Sequence, residues 1–354
     1  MLARSKTDCQ AAPWRHELST AITRPEELIT ILALDPDLLP AARAAARQFG
    51  LLVPRGYVAL MAPSDPNDPL LRQVLPLAEE LHSPPGFTPD PVGDWATVRG
   101  PGLLRKYQGR ALLLLTGACA IHCRYCFRRH FPYAKASARI DRATGAVDRL
   151  MADPSIHEVI LSGGEPLILD DAPLADLIGR LAEIPHLRRL RLHTRLPIVL
   201  PSRVTDRLCR TLSGSRLRSI LVVQTNHAQE LGTAARGALA WLYRAGIVLL
   251  NQSVLLRGVN DQAHHLAALS EALIESHVLP YYLHLLDRVS GAAHFELDAT
   301  TAVQLIEQLR TQLPGYLVPQ LVKEIPGKPY KIPIEREAIT EDKVSGREAD
   351  ERAP

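Results

Sequence analysis

From Ala111 onward the sequence alternates short β-rich runs with amphipathic helical segments, and this alternation constrains the fold more than any other feature. Each run is apolar, short and rich in Val, Ile, Leu or Tyr, as buried strands are. The predicted strands are ALLLLTGA, HEVILSGGE, LRRLRLHT, RSILVVQT, IVLLNQSVLL and VLPYYLHLL. The predicted helices are DDAPLADLIGRLAEI, PSRVTDRLCRTL, TAARGALAWLYRAG, DQAHHLAALSEALIESH and ATTAVQLIEQLRTQL. Consecutive βα units predict an α/β fold with a parallel sheet and right-handed crossovers, curled into a partial (β/α)6-type barrel.

The segments that flank the predicted barrel differ from it in composition. Residues 1–95 contain helical stretches followed by a Pro-rich connection, so we predict a helical N-terminal extension there. The barrel core is predicted over residues 96–335. Residues 336–354 are mostly charged and have little apolar surface to bury, which predicts a disordered tail.

Composition limits the classes of partner. The chain has 354 residues, of which 41 are basic and 38 acidic, and its formal charge of +3 favours neither nucleic acid nor a membrane surface. No run approaches the roughly 18 apolar residues that a membrane-spanning helix needs. The cysteines are few, odd in number and mostly grouped, which is typical of a reducing compartment. We therefore predict a cytoplasmic protein that acts on small molecules.

Three of the five cysteines form a C-x3-C-x2-C array at Cys119, Cys123 and Cys126, directly after the first predicted strand. In α/β barrels the catalytic residues lie at this end of the strands. Three thiolates can bind three irons of a cubane [4Fe-4S] cluster and leave the fourth iron open. A zinc site would need a fourth ligand, and His122 is adjacent, but structural zinc sites usually combine two separated pairs. A chance grouping is the third interpretation.

The second predicted strand ends in Gly163, Gly164 and Glu165. Consecutive glycines let the backbone approach a ligand closely, although an ordinary βα turn also uses glycine. Together with the cysteine array, this segment resembles the radical S-adenosylmethionine enzymes. The resemblance implies that the array binds the cluster, that the open iron chelates S-adenosyl-L-methionine, and that the Gly-Gly-Glu segment lines the methionine amino group.

Over residues 95–335 the resemblance narrows to the lysine 2,3-aminomutase family. The matching segments, in order, are LTGACAIHCRYCFRRHF, ILSGGEPL, HTRLPIVLPSRVT, NQSVLLRGVND, PYYLHLLDRVSGAAHF and PGKPYKIP. The family also uses pyridoxal 5'-phosphate, and its members are isomerases that move an amino group between adjacent carbons. Such an enzyme must supply a Schiff-base lysine, a phosphate site and clamps for both ends of the substrate.

The resemblance assigns the pyridoxal site to two segments. Lys331 matches the Schiff-base lysine, but most glycines of the preceding family loop are absent, so Lys328 is a competitor. Lys106, Tyr107 and Arg110 match the phosphate-binding segment. Lysine replaces the first arginine of that segment and loses the bidentate geometry. Without the family match, these residues would be two solvated lysines and a polar turn.

The resemblance also assigns the substrate clamps. Arg128 matches the residue that binds the substrate α-carboxylate, for which a planar guanidinium is suited. Arg124 and Arg129 are nearby and could be only charged neighbours of the cluster. Asp287 and Glu324 match the anions for the distal ammonium, with glutamate in place of the usual aspartate at the second position. A lone Asp at a strand end is more often a helix cap.

The resemblance also implies residues near the nucleotide and bears on whether a zinc site is present. His227 and Gln252 match residues near the nucleotide, and a buried histidine bonded to backbone is the competing interpretation of the first. His284 stands where larger members of the family have a tyrosine, so no role is transferred to it. Those larger members carry a structural zinc with a cysteine after Asn-Asp. Here Gln262 follows that dipeptide and no cysteine occurs after Cys209, which predicts no zinc.

The short chain, the missing zinc module, Glu324 and His284 resemble the short bacterial members of the family. These prepare (R)-β-lysine for attachment to elongation factor P by a separate ligase. We predict this role, with L-lysine as substrate and flavodoxin or ferredoxin as reductant. The alternatives are an aminomutase for another amino acid such as glutamate, a radical enzyme without pyridoxal, and a non-catalytic iron-sulfur protein. Two anions at the side-chain end of the site disfavour glutamate.

Overall fold

Nine strands form a single mixed sheet in the computed structural model, which describes residues 13–100, 102–136 and 144–335. The strands are β1 (Leu103–Leu104), β2 (Arg110–Leu114), β3 (Glu158–Ser162), β4 (Arg189–Thr194), β5 (Arg218–Val223), β6 (Val248–Val254), β7 (Leu279–His284), β8 (Gln320–Lys323) and β9 (Ile332–Pro333). They are hydrogen-bonded in chain order. All neighbours from β2 to β8 are parallel. The short strands β1 and β9 pair antiparallel at the two edges.

The parallel strands curve around one cavity. Side chains from five of them line it, namely Leu112, Ser162, His193, Gln252 and His284. A flat sheet could not direct these strands toward a common interior, so the sheet is curled, while β2 and β8 do not pair and leave it open. The predicted α/β partial barrel is confirmed. The six predicted strands correspond to β2 through β7, and β8 adds a seventh parallel strand.

Thirteen α-helices surround or precede the sheet in the described parts of the chain. Five precede it: α1 (Pro13–Ser19), α2 (Pro25–Ile31), α3 (Leu39–Gln48), α4 (Arg55–Val58) and α5 (Pro69–Arg72). The others are α6 (Tyr133–Ala136), α7 (Thr144–Met151), α8 (Asp171–Ala182), α9 (Leu196–Val199), α10 (Asp206–Ser213), α11 (Thr233–Arg244), α12 (Ala263–Glu275) and α13 (Ala299–Gln312). The five predicted helices correspond to α8, α10, α11, α12 and α13. None of the described helices is long and apolar enough to cross a membrane.

The core lies between the sheet and its helices, and strand alternation separates it from the cavity. In β4, Leu190 and Leu192 are fully buried and belong to the same apolar cluster as Leu177 and Leu181 of α8. His193, one position further along the strand, lines the cavity instead. Successive side chains of a strand point to opposite faces, so one face of β4 builds the core and the other builds the site.

The segment before the sheet is attached to the barrel through buried charges. Glu80 accepts hydrogen bonds from Nε of Arg124 at 2.7 Å, from its Nη2 at 2.6 Å, and from Nη2 of Arg129 at 2.8 Å. A buried carboxylate is tolerated only when it is paired in this way. Because both arginines flank Cys126, the last cysteine of the array, the extension supports the cysteine loop. The domain boundary at residue 95 stays a prediction, and residues 336–354, predicted to be disordered, lie outside the described residues.

We predict that Glu80→Gln destabilises the fold by about 3 kcal/mol, because it leaves two buried guanidinium groups without their counter-ion. Urea unfolding of the metal-free protein, followed by circular dichroism, measures the difference. The exposed neighbour Glu79 provides the matched control. Glu79→Gln should change the unfolding free energy by less than about 0.5 kcal/mol. Equal effects of the two substitutions would contradict this account of the extension.

Candidate active site

The predicted cluster ligands lie in the loop that follows β2. Cys123 and Cys126 line the cavity, and Cys119 lies near them. Burial and the neighbouring thiols raise the pKa of Cys119, and burial together with Cys123 raises the pKa of Cys126 to about 11. A bound cation would favour the thiolates instead.

The described residues contain no three His, Cys, Asp or Glu side chains close enough together to hold a single metal ion. A cluster instead takes one thiolate at each of three separate irons, which suits the array. His122, the extra ligand that a zinc site would recruit, has its Nδ1 2.8 Å from the Gly50 carbonyl oxygen. The donor set therefore fits an iron-sulfur cluster.

The Gly-Gly segment packs directly on the start of the cysteine loop. The Gly164 amide donates to the Thr116 carbonyl at 2.7 Å, and the Glu165 amide donates to the Ala118 carbonyl at 2.8 Å. A Cβ atom on Gly164 would lie 2.3 Å from the Ala118 oxygen, and Gly163 has a φ of +136°. Side chains at these positions would therefore push the cysteine loop away from β3.

The Glu165 carboxylate is bonded to the end of the next strand. It accepts hydrogen bonds from Oγ1 of Thr194 at 2.7 Å and from the Arg195 amide at 2.9 Å. Burial raises the pKa of Glu165, while these hydrogen bonds oppose the rise. Its side chain therefore joins β3 to β4 at the edge where the strands end.

Arg128 lines the cavity beside the cysteine loop. Its Nε donates to Asp94 at 2.6 Å, and its Nη1 donates to Ser162 at 3.3 Å. Asp94 also pairs with Lys106 at 2.5 Å. Burial would raise the pKa of Asp94, but the two cations hold it below its usual range. Sequence reasoning missed Asp94, because a single acidic residue in a Pro-rich connection carries no motif.

Lys331 also lines the cavity, and its ammonium group is paired with Glu324. The other carboxylate oxygen of Glu324 accepts a hydrogen bond from Nζ of Lys106 at 2.9 Å. Burial would raise the pKa of Glu324, but the two ammonium groups hold it far below its usual range. Lys328, the competing lysine, is exposed outside the cavity lining. Glu324, predicted to bind a substrate ammonium, thus already serves as counter-ion to two lysines.

Asp287 lines the same cavity without an ion-pair partner among the described residues. Burial and the nearby charge of Glu324 raise its pKa to about 7, against the opposing influence of Lys331 and Lys106. A carboxyl group in this situation becomes a strong anionic site once a cation enters the cavity.

The predicted phosphate-binding residues line the cavity near β2. Lys106 is already engaged, because besides Asp94 and Glu324 its ammonium donates to the Val92 carbonyl at 2.9 Å. The Arg110 guanidinium lies 4.7 Å from the centre of the Tyr107 ring, and its buried Nε has no hydrogen-bond partner. Arg110 also forms no ion pair with a described carboxylate. Among the predicted phosphate ligands, Arg110 is thus the one still open to an anion.

The two predicted nucleotide-binding residues occupy different surroundings. Nε2 of Gln252 lies 3.0 Å from Nε2 of His284, and both residues line the cavity. Burial and Lys331 lower the pKa of His284 to about 3, so its ring is neutral. His227 is not part of the cavity lining, and its ring lies 5.2 Å from that of His265.

Sequence reasoning also missed His193, which lines the cavity and has a buried Nε2 without a hydrogen-bond partner. Burial and the charges of Arg191 and Lys331 lower its pKa. Its position one residue before the end of a predicted strand was the available signal, but the side-chain alternation along β4 had to be known to direct it inward.

The chain is similar to proteins of known function over most of its length. Residues 98–187 match the model of 4Fe-4S single cluster domains. The chain is 47% identical over 323 residues to an L-lysine 2,3-aminomutase of Escherichia coli, covering 91% of this chain and 94% of the relative. The Haemophilus influenzae enzyme of that name is 43% identical over 318 residues, covering 90% and 94%. The Clostridium subterminale enzyme is 34% identical over 335 residues, covering 94% and 80%.

We predict that Gly164→Ala displaces the cysteine loop, since its Cβ would collide with backbone rather than with a flexible side chain. The expected results are a loss of about 2 kcal/mol in stability and loss of iron after anaerobic reconstitution. Gly179 of α8 is the matched control, because a Cβ there meets no atom within 4 Å. Gly179→Ala should stabilise the protein by about 0.5 kcal/mol and retain iron. An iron-replete Gly164→Ala protein of normal stability would refute the packing argument.

Because the pKa of Asp287 is raised, its ionisation should lower the stability of the folded protein as the pH rises. An unfolded aspartate titrates near about 3.9, so the folded state, with a pKa of about 7, binds this proton more tightly. The stability that the protonated group contributes is complete below about pH 4 and is lost as the pH rises through 7. Relative to Asp287→Asn, the unfolding free energy of the unliganded wild type should fall by about 2 kcal/mol between pH 5 and pH 8. This value is discounted because the carboxyl group is partly exposed to solvent.

Urea unfolding of both proteins at the two pH values measures this loss. Asp206→Asn, on the exposed face of α10, should differ from wild type by less than about 0.5 kcal/mol at either pH. A constant difference between wild type and Asp287→Asn across the range would show that Asp287 is already ionised at pH 5.

Proposed function

The chain belongs to the L-lysine 2,3-aminomutase family of radical S-adenosylmethionine isomerases, and we propose that it converts L-lysine into (R)-β-lysine with pyridoxal phosphate as a further cofactor. One observation carries this proposal. The cavity bordered by Cys123 and Cys126 also contains Arg128, Lys331 and an unpaired Asp287. Metal ligands, an amine nucleophile and clamps of opposite charge are the set that this reaction needs in one place.

The cysteine loop accounts for the radical-forming half of the site. Cys119, Cys123 and Cys126 would hold three irons of the [4Fe-4S] cluster, and the fourth iron would take S-adenosylmethionine. When bound, the cluster and nucleotide supply a carbon radical strong enough to remove an unactivated hydrogen atom. The apolar side chains of Phe127 and Leu286 in the cavity lining help to exclude water from that chemistry.

Other residues of the cavity lining fit pyridoxal phosphate. The open guanidinium of Arg110 beside Tyr107 suits the phosphate, and Lys331 supplies an amine in the cavity lining. When bound, this cofactor supplies a carbonyl group for an amine and a conjugated ring. Glu324 holds the Lys331 ammonium in place, and its carboxylate is positioned to accept the proton that the ammonium gives up before the amine reacts.

The charge distribution favours lysine as substrate. A substrate carboxylate would bind the part of the Arg128 guanidinium that does not donate to Asp94 or Ser162. The distal ammonium of the substrate would bind Asp287. A glutamate side chain at that end would face the anions Asp287 and Glu324 and be repelled. Because only ionised Asp287 attracts an ammonium strongly, lysine binding should strengthen as the pH rises through about 7.

The biological role that we propose is to provide (R)-β-lysine for elongation factor P, in the cytoplasm and with flavodoxin or ferredoxin as reductant. Sequence similarity supports it. The chain is 47% identical to the Escherichia coli relative and 34% identical to the Clostridium subterminale one, so it is more similar to the former. Gln262, in place of the zinc-binding cysteine of the larger members, agrees with that grouping.

The test is anaerobic reconstitution with iron and sulfide, followed by incubation of isotopically labelled lysine with dithionite, S-adenosylmethionine and pyridoxal phosphate. We expect labelled (R)-β-lysine by chiral mass spectrometry and a borohydride-trapped adduct at Lys331. Lys331→Ala should abolish both the adduct and at least 99% of turnover, while the matched variant Lys328→Ala keeps both. Product formed from glutamate but not lysine, or undiminished turnover without pyridoxal phosphate, would overturn the proposal.

A further inference from the structure

Arg195 is a buried cation in contact with the cysteine loop. It directly follows β4, and only 4% of its surface is exposed. Its Nη1 lies 2.7 Å from Sγ of Cys123 and donates a hydrogen bond to it. The backbone of Arg128 also hydrogen-bonds the Cys126 sulfur, but among the described side chains assigned above to cofactor or substrate binding none donates to a cysteine sulfur. This contact therefore calls for its own explanation.

The Arg195 guanidinium is fixed from the side opposite to the cysteine. Its Nη2 donates to Glu230 at 2.7 Å, to Oε1 of Gln73 at 2.7 Å and to the Tyr57 hydroxyl at 3.2 Å. The carboxylate of Glu230 is completely buried, so it needs this cation. A guanidinium with this many partners cannot turn away from Cys123 without leaving several polar groups unsatisfied.

Two of those partners come from the N-terminal extension. Tyr57 lies in α4 and Gln73 directly follows α5. Gln73 is itself held, because its side-chain Nε2 donates to Glu230 at 3.2 Å and its backbone carbonyl oxygen accepts from the backbone amide of Arg124 at 2.9 Å. The extension thus fixes both the donor and the loop that carries the accepting sulfur.

The physical consequence concerns the charge of the cluster. Reduction adds one negative charge, and part of it resides on the cysteine sulfurs. Hydrogen bonds to those sulfurs and a nearby positive charge stabilise the reduced form more than the oxidised form, and so raise the reduction potential. In a buried environment the effect of a single charged donor is larger than it would be in water.

We propose that Arg195 is a positioning residue that donates to the Cys123 thiolate of the iron-bound cluster and raises its reduction potential, and that Tyr57 and Gln73 of the extension hold it there. This inference rests on the proposed assignment of Cys123 as a cluster ligand. It gives the N-terminal extension a role in cluster reduction, for which the amino-acid sequence offered no indication.

The experiment compares two reconstituted proteins, Glu230→Gln and Arg195→Met/Glu230→Gln, by redox titration followed by electron paramagnetic resonance. The Glu230→Gln background avoids leaving a buried carboxylate unpaired. We expect the double variant to be harder to reduce by at least tenfold in the equilibrium constant, which is about 59 mV for one electron. Equal potentials in the two proteins would overturn the proposal.

A matched buried arginine controls for general destabilisation. Arg203 is also fully buried, pairs with Asp171 at 2.8 Å and donates to the Leu167 carbonyl at 2.6 Å, but it has no contact with a cluster cysteine among the described hydrogen bonds. Arg203→Met/Asp171→Asn should lower stability and leave the potential unchanged. A shift equal to that of the Arg195 variant would show that loosening of the fold, and not the hydrogen bond, is responsible.

Gln73→Leu tests the extension separately and decides the matter if the Arg195 variant does not retain iron. It keeps Arg195 and its charge but removes one of its acceptors, so the potential should fall by less than in the double variant. An unchanged potential in Gln73→Leu would overturn the role of the extension. Failure of the proposed cluster assignment is recognised differently, because wild type would then show no [4Fe-4S] spectrum, and failure of the proposed reaction would show as a normal spectrum without formation of β-lysine.

Discussion

The parallel pairing of consecutive strands is the constraint on which the site depends. Because every pair from β2 to β8 runs in the same direction, the loops that follow the strands meet at one edge of the sheet. The cysteine loop, the Gly-Gly segment, Asp287 and Glu324 each follow a strand, although they are far apart along the chain. Curvature of the sheet then turns that edge into a cavity. If the strands alternated in direction, these residues would be distributed over two edges of the sheet and could not share a substrate.

Most buried charges around that cavity are arranged in pairs, and Asp287 and Arg110 are two exceptions among the described residues. Glu80 neutralises two arginines under the cysteine loop, Asp94 joins Arg128 to a lysine, and Glu324 lies between two lysines. Asp287 has no such partner among the described residues. Burial of a carboxyl group without a partner is unfavourable, so the fold retains a cost that a cationic substrate would relieve, as we propose for lysine.

Periodicity was enough to predict β2 through β7 and the helices that pack on them, because each carries a full apolar pattern. It failed for β8, which has only four residues, and for α7. In the site, Arg128 and Lys331 were placed by the family resemblance, and the structure brings both to one cavity. His227, predicted beside them, lies outside the cavity lining. Asp94 and Arg195 were not found, because each depends on a partner, Arg128 and Glu230 respectively, that lies more than 30 positions away. Pairing of that kind is a property of tertiary contact and leaves no local pattern.

We propose that three cysteines of one loop hold a cluster whose fourth iron is open to S-adenosylmethionine. Mössbauer spectroscopy of the anaerobically reconstituted protein, before and after addition of S-adenosylmethionine, distinguishes that iron from the others. One of the four irons of each cluster should change its isomer shift toward higher coordination, while the other three stay as they were. Four irons that remain alike after the addition, or a protein that binds no iron, would contradict it.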